Sequence, residues 1–166
     1  IPELEVPLAD SPAAEILAAR LQPAPGTREE LTSNEDFYRI DINTSPPVVD
    51  GETWRLEVGG LVDSPLSLTL ADLMAMPSVT QAITLSCISN TLGGDLISTS
   101  NWTGVPVQQL LELAGLQPAA KELSIEAADG FYESVAMQDL QDPRTLLVFA
   151  MNGAPLPIEH GFPLRI

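Results

Sequence analysis

The pattern of apolar and polar positions is clearest from Thr53 onward. Trp54, Leu56 and Val58 alternate with polar residues and stop at Gly59-Gly60, the period-two mark of a half-buried strand. Leu66-Ser67-Leu68 repeats the alternation, and Thr69 is placed to cap a helix over Leu70–Met76 that Pro77 ends. The apolar run Val79–Leu85 reads as a buried strand. Trp102-Thr103-Gly104-Val105-Pro106 reads as the opening of a helix; its apolar positions Val107, Leu110, Leu111 and Ala114 share one face, and Gly115 closes it. Leu123–Ala127 and Tyr132–Val135 read as strands joined by the turn Asp129-Gly130, and Met137–Gln141 as a short helix. Thr145–Met151 is an apolar strand leading to Asn152-Gly153, the pair that tight hairpins prefer. A last strand is expected to begin near Pro163.

The first fifty residues carry weaker signals. Residues 1–10 have no period and read as an arm. Ser11-Pro12-Ala13-Ala14-Glu15 is a helix start that should run to about Gln22, before the breakers Pro23-Ala24-Pro25-Gly26. Residues 27–50 are mostly irregular, with a short extended piece at Phe37-Tyr38-Arg39-Ile40-Asp41. Strands with short helices between them, without regular strand–helix alternation, predict a mixed α+β domain. The division expected is an arm and helix over 1–31 and a domain over 32–166. The chain opens at Ile1 without a methionine and reaches Ile166 in what reads as mid-strand, so it is expected to be a piece of a longer protein, incomplete at its C-terminus.

Composition narrows the possibilities. With 166 residues, 45% of them hydrophobic, the chain can build one proper core. No stretch approaches the ~20 apolar residues of a membrane span, so this segment is not expected to be membrane-inserted. Seven basic against 23 acidic residues give a net charge of -16, which repels nucleic acid and anionic lipid. That balance makes each of the six arginines more informative.

The chemistry gathers at Thr84-Leu85-Ser86-Cys87-Ile88-Ser89-Asn90-Thr91-Leu92-Gly93-Gly94, which holds the one cysteine of the chain. A strand delivers a thiol to a loop of small residues, where it can act as a nucleophile or a soft metal ligand. The bland alternative is a small buried hydrophobe. No dinucleotide-binding glycine pattern, P-loop or nucleophile elbow is present. With one cysteine and one histidine there is no zinc cluster. A hydrolase pair of Cys87 and His160 stays open, although nothing marks an oxyanion hole.

Longer motifs bear on these alternatives. Met151-Asn152-Gly153-Ala154-Pro155-Leu156-Pro157-Ile158-Glu159-His160-Gly161-Phe162-Pro163-Leu164-Arg165 resembles the molybdenum-cofactor signature of the sulfite oxidase family. Ile97-Ser98-Thr99 through Trp102-Thr103-Gly104 and the helix after it are similar to the same family. So is Leu85-Ser86-Cys87-Ile88-Ser89-Asn90, where the family places its molybdenum-ligating cysteine and an Asn three residues on. Phe37-Tyr38-Arg39-Ile40-Asp41 stands where members carry a cofactor-contacting segment with an arginine. The resemblance covers about residues 32–166, in the family's order.

The resemblance implies a molybdopterin-binding oxidoreductase of the sulfite oxidase fold, performing two-electron oxygen-atom transfer or reduction on a small-molecule substrate. By the same resemblance Cys87 is the metal ligand, with Arg39 beside it as a catalytic residue. Tyr38, Arg39, Asp41, Asn90, Asp129, His160 and Arg165 hold the cofactor. Thiolate suits molybdenum, and guanidinium forks suit phosphate or oxo groups. Taken singly, Asp129 reads as a turn former, Arg39 as a surface charge, His160 as a core residue and Arg165 as a salt-bridge partner. The likeness is to bacterial members with a membrane-spanning region before the domain, which implies an extracytoplasmic location and a haem- or quinone-linked electron partner. Two departures stand out. Where sulfite oxidases follow the Asn with paired arginines, this chain has Thr91 and Leu92, which argues against a true sulfite oxidase. The family's later cofactor contacts lie beyond Ile166, so the chain as given is expected to be isolated without cofactor and inactive. The alternative function is a non-catalytic binding or assembly module that kept the fold and lost the metal.

Overall fold

The computed structural model describes residues 25–27 and 29–166; the helix expected over residues 11–22 lies outside them. Strands β1 (Arg55–Val58) and β2 (Leu66–Thr69) pair antiparallel. Helix α1 (Leu70–Ala75) follows, with Thr69 and Asp72 forming a reciprocal capping box. β3 (Val79–Ser86) and β4 (Ile97–Pro106) form a long antiparallel hairpin across the cysteine loop. Helix α2 (Val107–Ala114) ends at Gly115, whose φ of 68° is the left-handed cap that glycine takes without strain. β5 (Glu122–Glu126) and β6 (Tyr132–Ala136) make a separate hairpin, followed by the turn-long α3 (Met137–Leu140). β7 (Leu146–Met151) turns at Asn152-Gly153 into the two-residue β8 (Ala154–Pro155). Among the described residues the strands form three sheets, the central one ordered β3-β4-β7-β8. The α+β class expected from the sequence is what forms, with strand-rich sheets and short helices.

β7 is buried along its whole length, and its two faces feed two apolar clusters. Leu147 and Phe149 join Leu73, Val105, Leu110, Leu111 and Leu140 on one side, under α1, α2 and α3. Leu146, Val148 and Met151 join Phe37, Trp102 and Leu156 on the other. Each large side chain buried this way contributes about 1.5–3 kcal/mol. The second cluster floors the site described below, so one strand links the stability core to the chemistry.

Three elements differ from the sequence reading. Trp102–Pro106 belongs to a strand, not to the start of a helix, and that strand reaches back to Ile97. After Ile97 the stretch Ser98–Asn101 is small and polar and shows no apolar alternation. Its hydroxyls are satisfied by neighbours: Thr84 and Thr99 meet at 2.7 Å, and Thr80 and Thr103 at 2.8 Å. Tertiary pairing on both sides overrides the weak local pattern. β3 is an edge strand with alternating exposure, not a fully buried one. The expected last strand reduces to a single bridge between Val148 and Arg165, because Pro157 and Pro163 lack amide donors for a ladder. Likewise Phe37–Asp41 forms no ladder; Tyr38 N–H donates to the Ser98 hydroxyl instead.

Gly104 sits at the bulge where β4 crosses β7. A Cβ there would stand 2.7 Å from Cα of Val148, closer than packed atoms approach. Gly104→Ala is therefore expected to force β7 away and to lower unfolding stability by about 3 kcal/mol or more. Urea denaturation followed by tryptophan fluorescence checks this; an unchanged midpoint would refute the close-approach argument.

Candidate active site

The cysteine loop is clasped at its base. Cys87 N–H donates to the Leu96 carbonyl at 3.0 Å, and Leu96 N–H donates to Asn90 Oδ1 at 3.0 Å. Asn90 N–H donates back to the Cys87 carbonyl at 2.9 Å, so Asn90 is the residue that closes the loop. A Cβ on Gly94 would lie 2.6 Å from Asn90 Oδ1, so that position must stay a glycine for the clasp to form. The Cys87 thiol is partly exposed, with the Ser89 hydroxyl 3.0 Å from Sγ. Donation from Ser89 to the thiolate holds the thiol pKa below its ordinary value. Ile88 and Leu92 on the same loop are fully exposed.

A strap over residues 31–38 runs along β4 and brings a second group of side chains to this end of the sheet. Thr32 N–H donates to the Thr99 carbonyl at 2.6 Å, and the Ser100 hydroxyl donates to the Thr32 carbonyl at 2.9 Å. Phe37 is the buried hub of an aromatic cluster. Its ring centre lies 5.3 Å from those of Tyr38, Trp102 and His160. Trp102 is 2% exposed, and its indole N–H donates to the Ile83 carbonyl. Burial pushes the Tyr38 phenol pKa up; the Arg165 charge pulls it partly back, and Cys87 adds a small raise. The phenol thus feels both the thiol and the guanidinium.

The third contributor is the segment after β8. His160 is buried, and its Nε2 lies 2.9 Å from the Asn34 carbonyl. Arg165 stacks over Trp102 at 5.2 Å, and its Nη1 donates weakly to the His160 carbonyl at 3.5 Å. Its backbone exchanges two hydrogen bonds with Val148, which pins it to β7. Among the described residues no carboxylate pairs with Arg165. Burial lowers its pKa, yet a guanidinium stays charged at any working pH. A cation held in this way favours an anionic ligand.

The Tyr38 phenol therefore feels the charges of both Arg165 and Cys87, while Asn90 closes the Cys87 loop and His160 packs on Phe37. Arg39 and Asp41 sit in the exposed stretch after Tyr38 and are ion-paired with each other. Asp129 is engaged elsewhere: its carboxylate accepts from Phe131 N–H at 2.9 Å, and its carbonyl accepts from the Asn43 amide. The turn-forming reading describes its contacts. The hydrolase pair does not form, since Cys87 Sγ meets Ser89 and His160 Nε2 meets the Asn34 carbonyl.

Residues 43–166 match the model of the oxidoreductase molybdopterin binding domain. The chain belongs to this family. This molybdopterin-binding domain is 32% identical over 148 residues to the uncharacterized oxidoreductase YuiH of Bacillus subtilis, covering 84% of the chain and 73% of YuiH. It is 26% identical over 172 residues to the protein-methionine-sulfoxide reductase catalytic subunit MsrP of Gluconobacter oxydans, covering 90% of the chain and 53% of MsrP. A nitrate reductase of Leptosphaeria maculans is 33% identical over 159 residues, which is 81% of the chain but 18% of that enzyme. Among solved structures, the sulfane dehydrogenase SoxCD of Paracoccus pantotrophus superposes with a TM-score of 0.77 at 26% identity, over 89% of the chain and 44% of that chain. The domain thus spans about half of the MsrP relative and less than a fifth of the nitrate reductase.

The donor set fits the family's cofactor. A thiol biased toward thiolate suits a soft metal, and a half-buried cation with no carboxylate partner among the described residues suits an anionic pterin. The sequence reading did not single out Phe37, Asn34 or Ser89. Phe37 and Asn34 lie in an aperiodic stretch, and only the Cys-x-Ser spacing signals Ser89. We expect Ser89→Ala to raise the Cys87 thiol pKa, because the variant loses the donor that stabilises the thiolate. Iodoacetamide alkylation of the cofactor-free chain across pH would then show its half-maximal rate at higher pH; an unshifted profile would refute the role given to Ser89.

Proposed function

We propose that this domain serves an oxidoreductase that removes an oxygen atom from a neutral substrate, a sulfoxide being the simplest case, and is not a sulfite oxidase. The balance is that of a reduction: a sulfoxide, two electrons and two protons give a thioether and water. The electrons would come from a haem- or quinone-linked partner at the extracytoplasmic face of a bacterial membrane. The name of one relative, a protein-methionine-sulfoxide reductase catalytic subunit, supports the reaction class. Among the described residues no helix is long and apolar enough to cross a membrane.

The observation that carries the substrate reading is the loop itself. Thr91 and Leu92 occupy exposed positions after Asn90, and Leu92 presents an apolar surface to solvent. Arg39 is already held by Asp41, which leaves Arg165 as the cation acting on the Tyr38 phenol. Sulfite is largely a dianion above neutral pH and needs fixed positive charge in order to approach. A net charge of -16 adds long-range repulsion, screened beyond about 8–10 Å.

In this reading Cys87 ligates molybdenum, which supplies the two-electron redox chemistry when the cofactor is bound. Arg165, backed by Trp102 and the His160 carbonyl, holds an anionic part of the pterin. Tyr38 presents a phenol that stays protonated and able to donate. Asn90 keeps the loop closed, and Asp41 orients Arg39. Asp129 shapes the β5–β6 turn through Oδ1 and would meet the pterin with the carboxylate's remaining acceptor sites. The domain so defined begins near Thr32, the first strap residue bonded to β4.

Two measurements test the reading on the full-length, cofactor-loaded protein. Cys87→Ser is expected to abolish turnover while the melting temperature stays near that of wild type, because the replaced atom is small and partly exposed; retained activity would sink the ligand assignment. Losing a charge-assisted hydrogen bond costs about 1.5–3 kcal/mol. Two such losses predict sulfite kcat/KM about two to four orders of magnitude below that of enzymes with paired arginines. Sulfite turnover at full efficiency would overturn the substrate class. A metal assay finding no molybdenum would point to the non-catalytic module instead.

A further inference from the structure

The Asn152 side chain ties the strap to the end of β7. β7 ends at Met151 while β4 continues back along Ile97–Asn101, so that part of β4 lacks a strand on its β7 side. Asn152 fills the gap. Its N–H donates to the Asn101 carbonyl at 2.7 Å, and Asn101 N–H donates to Asn152 Oδ1 at 2.9 Å, where a longer β7 would offer a backbone carbonyl. The amide nitrogen of the same side chain lies 2.9 Å from the Thr32 carbonyl and 2.9 Å from Asn34 Oδ1. A primary amide has two N–H groups, and these two acceptors use both; the Ser100 hydroxyl at 3.4 Å is a weaker neighbour. Asn152 reaches all of them because its φ of 51° is left-handed, a conformation Asn tolerates better than most residues.

The strap runs from this clasp to the site. Asn34 donates from Nδ2 to the Met151 carbonyl at 3.3 Å and accepts at its own carbonyl from the His160 side. A few residues on, Tyr38 N–H reaches Ser98 Oγ at 3.2 Å. Loss of the clasp would leave Asn34 Oδ1 without its donor and the Thr32 carbonyl with the Ser100 hydroxyl alone, and would loosen the strap on β4. We propose that Asn152 is a positioning residue for the active site: its side chain, acting through Thr32 and Asn34, sets where Tyr38 and Arg39 stand against Cys87 and Arg165. The role is separate from forming the hairpin turn, which glycine would serve equally well. It rests on the reading that Tyr38 and Arg39 belong to the pterin site.

Two variants separate clasp from turn. Asn152→Gly keeps the positive φ and removes the amide, while Asn152→Asp keeps an oxygen for Asn101 N–H but turns an acceptor on two acceptors. In the full-length protein we expect both to speed amide hydrogen exchange of the strap about tenfold, the effect of losing about one net hydrogen bond, with β7 amides protected as in wild type. The Tyr38 ring resonances should shift, and bound pterin should dissociate faster. Asn34→Ala added to Asn152→Gly should cost less than the sum of the two alone. The proposal is overturned by unchanged strap exchange, by exchange that rises equally in β7, or by a loosened strap with unaltered pterin release. Failure of the functional reading is a different result, the absence of pterin from the wild-type protein.

Discussion

The fold depends on a strand that has no solvent face. β7 is buried on both sides, so helices must cover one face and the strap with its aromatic residues must cover the other. An apolar strand of this kind tolerates few arrangements, since each misplaced neighbour would expose Leu146–Met151 to water. Gly104 lets β4 come close enough to share the load. Much of what surrounds the site follows from that demand. Phe37 and Trp102 are there to bury Val148 and Met151, and in doing so they set a floor under Arg165 and Tyr38.

The site is correspondingly uneven in rigidity. Arg165 is fixed by its backbone to β7 and by its guanidinium to an indole face. Cys87 rides on a loop whose clasp is made by three hydrogen bonds between Cys87, Asn90 and Leu96. Tyr38 arrives on a strap that has no ladder of its own. The three groups thus sit on a stiff wall, a closed loop and a tethered ribbon, and the ribbon has the fewest backbone pairings of the three.

Legibility in the sequence followed the same division. Elements that carry their own signal were readable: the Thr69 cap, the Gly115 stop, the Asn152-Gly153 turn and the apolar β7. Cys87 and Arg165 were singled out through their motifs, and both carry charge that acts on the Tyr38 phenol. β4 was misread because Ser98 and Ser100 are buried though polar, and only partners distant in sequence make that possible. The first part of the strap, Leu31–Asp36, was unreadable for the same reason. Its residues bind through carbonyls and hydroxyls, which leave no periodic trace. Asp129 shows the converse, a motif position whose contacts in the fold are those of a turn.

Arg165 and Val148 exchange two backbone hydrogen bonds, and this pairing blurs a familiar boundary. Val148 belongs to the packed interior, yet whatever moves its main chain moves a charge that acts on the Tyr38 phenol. A survey of substitutions across this domain would then find functional sensitivity at a residue with no chemistry of its own. Sorting positions into those that hold the molecule together and those that make it work would fail there, because one stretch of backbone does both.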